Sequence, residues 1–382
     1  MANDKSGPLA GIKVVHLASL GPGPYATMLL ADMGCDVVIV DRASAMQVSV
    51  QPAADPRRRG QRSIVLDLKN AEARAILLDL VRQADVLIEG MRPGVAERLG
   101  VGPEICLGLN PKLIYARVTG WGQTGPLADR AGHDINYIAL SGALLAMGPP
   151  DAPPPVPLNL LGDYAGGGAF VALGIVAALL DRERTGKGRT LDAAIIDGVA
   201  SLTAATLGML AEGRWGPRGT NAFDGSAPWY RTYATRDGGF VAVGAIEPPF
   251  YDALVKGLGL DPQLCTRDDR SRWPKIAEAF ASTFRRHDRA YWQAVFAGTD
   301  ACVSPVLSFE EAFAHPHHVA RGTYMGLPGT AQPARAPRFD GRETSIGPEP
   351  APVPGAHTDE VLRNLGRTEA EISRMRAEGA VA

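Results

Sequence analysis

Paired cysteines are missing. The chain has four cysteines in 382 residues, Cys35, Cys106, Cys265 and Cys302, and no two stand at C-x-x-C spacing. That scarcity excludes a disulfide framework and a cysteine zinc site, and it fits a reducing compartment, so a cytoplasmic protein is expected. A dominant charge is missing too: 39 Lys and Arg face 41 Asp and Glu, a formal net charge of -2, which argues against a dedicated nucleic-acid binder. The first residues, Met1 to Pro8, lack the apolar stretch of a signal peptide. Nor does any apolar run reach the ~20 residues of a spanning helix; residues 164–180 come nearest, carry four glycines, and read as a buried helix rather than a membrane span. What remains is an ordinary globular composition, 46% hydrophobic and 21% charged, without internal repeats. The length predicts a large domain plus a smaller one.

Apolar, β-branched runs predict strands at 12–17, 36–41, 63–68, 86–89, 113–118 and 189–194, with helices at 24–33 and 70–83 between them. This alternation is the signature of an α/β fold with a parallel sheet. Between the first strand and helix, residues 21–26 formally match G-x-G-x-x-A, with Asp41 near the ribose position of a dinucleotide fold. Pro22 and Pro24 have no N–H to offer a phosphate, and Pro24 fits the first helical position, so NAD binding is the weaker alternative. The basic run at 55–62, with Arg57, Arg58 and Arg62, leads toward a strand end, where α/β sheets bind ligands; phosphate recognition or steering is expected there.

A helix at 197–212 leads out of the first domain, and 213–227 reads as a connector. Strands at 229–235 and 240–244, joined by Arg236-Asp237-Gly238-Gly239, open a smaller α+β region. Helices follow at 249–258, 273–285 and 289–296, with a strand at 302–307. His315-Pro316-His317-His318 reads as a surface turn rather than a metal site, because no acidic or thiol ligand accompanies it. Residues 328–354 are expected to be irregular, and helices close the chain at 358–365 and 368–378. The expected partition is a large α/β domain from 1–212, a linker at 213–227, a small domain at 228–327, and a return segment with C-terminal helices at 328–382.

Chemistry concentrates in Gly132-His133-Asp134-Ile135-Asn136-Tyr137 and, thirty residues later, in Gly162-Asp163-Tyr164 ahead of Gly166-Gly167-Gly168. Histidine titrates near neutrality, and an aspartate at a helix N-terminus is expected to stay ionised in the helix dipole. Two such groups facing one space suit proton transfer in both directions. Taken singly, each has a plain structural reading, a core histidine and an N-cap.

Together with Gly21-Pro22-Gly23-Pro24, residues 62–69, Gly90-Met91-Arg92-Pro93-Gly94, Gly120-Trp121-Gly122-Gln123-Thr124-Gly125-Pro126 and Val243-Gly244-Ala245-Ile246-Glu247, these segments resemble the class III CoA-transferase superfamily, and within it the α-methylacyl-CoA racemases. The resemblance runs from Leu9 to the C-terminal tail. It implies an interlocked homodimer, with a Rossmann-like large domain built from both chain ends and a small α+β domain reaching the partner. It implies His133 and Asp163 as the acid/base pair, with Glu247 hydrogen-bonded to the other nitrogen of the histidine. For an acyl-CoA substrate it implies Arg42, Leu66, Asp67, Leu68, Lys69, Gly90, Met91, Arg92, Arg98, Gly132, Asp134, Ile135, Asn136 and Tyr137. No metal or cofactor is implied, since CoA is part of the substrate. The enolate of such a reaction needs a hydrogen-bond donor, and the backbone N–H of Asp163 is the candidate. Transferases resembling this chain use an aspartate at the position of Asp163 as covalent nucleophile and usually carry an aromatic residue where His133 stands; that activity is the alternative.

Overall fold

The computed structural model describes residues 7–42, 55–327, 330–340 and 351–382. The chain divides into two compact units: Met1–Ser141, Pro157–Leu202 and Val319–Ala382 form one, Gly142–Val156 and Thr203–His318 the other.

The first unit is built on six parallel strands, β1 (Lys13–Leu17), β2 (Asp36–Asp41), β3 (Arg62–Val65), β4 (Val86–Glu89), β5 (Ile114–Thr119) and β6 (Arg189–Ala194), in the order β3-β2-β1-β4-β5-β6. Side chains alternate between the two faces of such strands, and helices cover both. Val15, Leu17, Val38, Val40, Ile64, Leu87 and Tyr115 enter one core, shared with α2 (Ala71–Gln83) and α4 (Pro103–Leu109); the short α3 (Val95–Arg98) contributes Ala96. Val14, Val37, Val86, Ile88, Ile114 and Ala116 enter the other, with Ala26 and Leu30 of α1 (Pro22–Asp32). Double burial is why these strands read as continuous apolar runs. The first helix starts at Pro22, two residues before the expected Pro24, because a proline at the opening position sacrifices no hydrogen bond.

Beyond α5 (Asp134–Leu140), the expected buried helix begins as a π-helix, Leu160–Ala169, and continues as α6 (Phe170–Thr185). By length and composition Leu160–Thr185 could cross a membrane, but Val171, Ile175, Ala178 and Leu179 pack against the sheet, so it is a core helix. Its glycines set the crossing with α7 (Ile195–Leu202): a Cβ at Gly166 would meet Val199 Cγ2 at 2.7 Å, and one at Gly198 would overlap the Gly166 carbonyl. The predicted helix at 197–212 is two, α7 and α8 (Ala204–Ala211), broken at Thr203 where the units divide.

The second unit pairs β7 (Tyr230–Ala234), β8 (Phe240–Gly244) and β9 (Val303–Pro305) antiparallel, with α9 (Pro248–Gly257), α10 (Trp273–Phe284), α11 (Arg289–Phe296) and α12 (Phe309–Ala314). Its core is aromatic, with Trp229, Tyr251, Trp273, Phe280, Phe284 and Trp292 buried together. The expected surface turn at His315 is instead the start of α13 (Pro316–Arg321), Pro316 again taking an opening position. β11 (Thr330–Pro333) lies inside the stretch expected to be irregular and pairs antiparallel with β10 (Tyr324–Leu327) just before it; residues 328–329 and 341–350 lie outside the described set. Finally α14 (Thr358–Asn364) and α15 (Glu369–Ala377) return to the first unit, where Val361, Leu362, Ile372, Met375 and Val381 join the β3 core. Leu66, expected in the third strand, lies just past its end and bridges antiparallel to Val381, so both chain ends build this unit.

Candidate functional site

The strand order reverses between β1 and β4, and in open parallel sheets the crevice beyond the strand ends at that point binds ligands. A cavity of about 970 Å³ lies there, reached by the residues that follow β1, β2, β4 and β5. His133 and Asp163 both line it.

His133 immediately precedes α5 and is exposed; its backbone N–H donates to Asn136 Oδ1 (3.0 Å), and its carbonyl accepts from the Asn136 N–H (2.8 Å). That reciprocal cap fixes the backbone while leaving the imidazole to the cavity. Asp163 stands in the first turn of the π-helix, half-buried, with Asn159 Nδ2 donating to its Oδ2 at 3.2 Å. Gly21 is the other wall, since a Cβ there would fall 2.9 Å from Asp163 Oδ2. The dipole argument for a firmly ionised Asp163 is outweighed. Burial raises its pKa above the usual carboxylate value, the nearby Asp134 carboxylate raises it further, and Asn159, His133 and Arg57 only partly offset this.

Asp134 also changes the expected donor. It is buried, and its Oδ2 accepts the Asp163 backbone N–H at 2.6 Å, so the N–H expected to be free for an enolate oxygen is already engaged. Tyr137 is placed by two glycines: Gly120 leaves room for its ring, and the Gly132 carbonyl accepts from its hydroxyl at 2.5 Å. Trp121 packs edge-on to the same ring at 4.7 Å.

The basic run is largely spent within the protein. Arg58 is bidentate to the buried Asp41 (3.0 and 2.6 Å), which also accepts from Ser63 Oγ (2.6 Å); Asp41 is therefore a structural anchor rather than a ribose ligand. Arg62 pairs with Asp36 and Glu360, and Arg57 with Asp55 while reaching the Tyr164 hydroxyl at 3.3 Å. Of the four, Arg59 is the most deeply buried, held by Asp32, Gln332 and the Pro333 carbonyl. Arg57 and Arg58 nevertheless line the cavity.

Among the residues expected at the substrate, Arg42, Gly90, Met91, Arg92, Gly132 and Tyr137 line the cavity. Glu89 holds the Met91 N–H at 2.6 Å and is itself held by Arg117, which fixes the β4 loop. Leu66 is in the core, Asp67 and Lys69 are exposed, and Leu68 packs against the core edge. Arg98, Ile135 and Asn136 are exposed, and with Asp134 they stand outside the cavity lining. Glu247 belongs to the second unit, exposed ahead of α9, where its carbonyl accepts from Phe250 and Tyr251 and its side chain makes no cap bond. Among the described residues, no group of three or more His, Cys, Asp or Glu could hold a metal ion. Asn159 was not among the residues expected at the site, although it stands one helical turn before Asp163, the one signal it offered.

Known proteins resemble this chain along nearly its whole length. Human α-methylacyl-CoA racemase is 44% identical over 97% of this chain and 96% of its own, and the mouse racemase 44% over 98% and 97%. The crystal structure of a CaiB/BaiF family protein from Brucella suis superposes with a TM-score of 0.79 at 26% identity, covering 94% of this chain and all of that one. The sequence profile of CoA-transferase family III matches residues 9–358, and the chain belongs to that family.

Proposed function

We propose that this protein is an isomerase that interconverts the (2R) and (2S) epimers of 2-methylacyl-CoA thioesters. Neutral His133 takes the α-proton from one epimer, leaving a thioester enolate, while protonated Asp163 gives its proton to the opposite face; the reverse reaction exchanges the roles. The carrying observation is that both groups line one cavity, with Asp163 half-buried and its pKa raised, so that the carboxyl can hold the proton it must deliver.

CoA is part of the substrate in this scheme, and no cofactor takes part. Arg42 and Arg92, exposed cations at the cavity, suit its phosphates. Glu247 is assigned to His133 as the partner of its second ring nitrogen within a homodimer, which its exposed side chain, making no cap bond to α9, supports. The test is to incubate a single epimer without any acceptor acid and follow optical purity. Wild type should racemise it, and His133→Ala should be at least about 100-fold slower with CoA binding retained. Near wild-type turnover in that variant would remove His133 as a base.

A further inference from the structure

The end of β1 carries a pair that the proton transfer does not use. His16 is 2% exposed, its Nε2 lies 3.1 Å from Ser19 Oγ, and its Nδ1 has no hydrogen-bond partner among the described residues. Both residues line the cavity. Asp41 and Arg58 act on the ring in opposite senses, and burial dominates, lowering the pKa to about 4 and keeping the imidazole neutral. A neutral ring carries one N–H. On Nδ1 it would be a buried donor with nothing to bond; on Nε2 it donates to Ser19 Oγ and leaves only a bare acceptor, the less costly orphan. With Nε2 as donor, Ser19 Oγ accepts from His16 and keeps its own proton available to donate.

The serine is also clamped. A Cβ at Gly23 would overlap Ser19 Oγ and stand 2.8 Å from His16 Nε2, and one at Gly90 would stand 3.1 Å from Ser19 Cβ. The hydroxyl is thus wedged between the start of α1 and the end of β4, inside the switch-point crevice. Gly90 leads directly to Arg92, which has no carboxylate partner among the described residues, so this half of the cavity suits the polar, anionic part of a ligand.

We propose that Ser19 donates a hydrogen bond to an oxygen of the CoA arm, and that His16 is the positioning residue that points its proton there. This rests on the acyl-CoA reading above. Titration calorimetry with free CoA separates the two. Ser19→Ala should weaken CoA about five- to tenfold, the worth of one neutral hydrogen bond. His16→Gln, whose amide keeps an N–H available for Oγ, should bind within about twofold of wild type, and nitrogen-15 shifts should place the ring proton on Nε2. Equal CoA affinity in wild type and Ser19→Ala overturns the donor role. An Nδ1–H ring, or a His16→Gln variant as weak as Ser19→Ala, overturns the role of His16. A wild-type protein that binds no CoA overturns the acyl-CoA reading instead.

Discussion

Asp163 is held where its own charge is disfavoured: half-buried, beside the Asp134 carboxylate, with one amide donor from Asn159 as partial compensation. Because its folded pKa is raised above the unfolded value, its contribution to stability is fully present below the unfolded pKa and is lost as pH rises through the folded one. Above the unfolded pKa the raised value is therefore a cost, and at pH 7 Asp163→Asn should melt at a higher temperature than wild type while losing racemase activity. Paired thermal melts at pH 7 and pH 4 check the sign, since the advantage of the variant should shrink at the lower pH. An advantage that grows on acidification would show that the carboxyl is stabilised by its surroundings. The same residue explains what sequence alone misjudged. Asp163 was legible as a carboxylate at the start of a Gly-rich helix, but its partner Asp134 sits twenty-nine positions earlier in the chain, and only the fold shows that it takes the Asp163 N–H. The pairings of Arg58 and Arg62 were hidden for a similar reason. Their carboxylates, Asp41 and Asp36, lie 17 and 26 positions away and are partners only in space, whereas Asp55 is a local neighbour of Arg57.

At the scale of elements, the site depends on how closely the π-helix and α7 approach. Gly198 abuts the Gly166 carbonyl, and backbone cannot yield as a flexible side chain can. Alanine at 198 would gain up to about 1 kcal/mol of helix propensity but force apart a packed crossing, which typically costs about 1–3 kcal/mol or more. Gly198→Ala should be destabilised by about 2 kcal/mol net in urea unfolding and should lose activity with it; unchanged stability would mean that the crossing is loose. The strands were the most legible elements, because β2 and β4 are short apolar runs buried on both faces, and they form where the pattern ends. Less was legible at β11, a strand within a stretch whose composition suggests loop, and at Thr203, where an unbroken apolar pattern hides the division between α7 and α8. Packing decides both, and packing is not written in local composition.

For the whole molecule, the switch point of the six-stranded sheet brings the ends of β1, β2, β4 and β5 to one cavity, and the helices after them carry His133 and Asp163 to its wall. The second unit carries Glu247 at a helix start, exposed and making no cap bond, as the proposed homodimer requires. A shared scaffold serves transferase and racemase chemistry alike, so the decisive property is the fate of the α-proton rather than the fold. The most direct test supplies (2R)-2-methylacyl-CoA in D₂O without an acceptor acid and examines the two epimers early in the reaction. The account predicts the (2S) epimer with deuterium at Cα, formed while the remaining (2R) substrate still carries protium. Unchanged optical purity and no label at Cα, with CoA passing to a carboxylate once one is added, would contradict it.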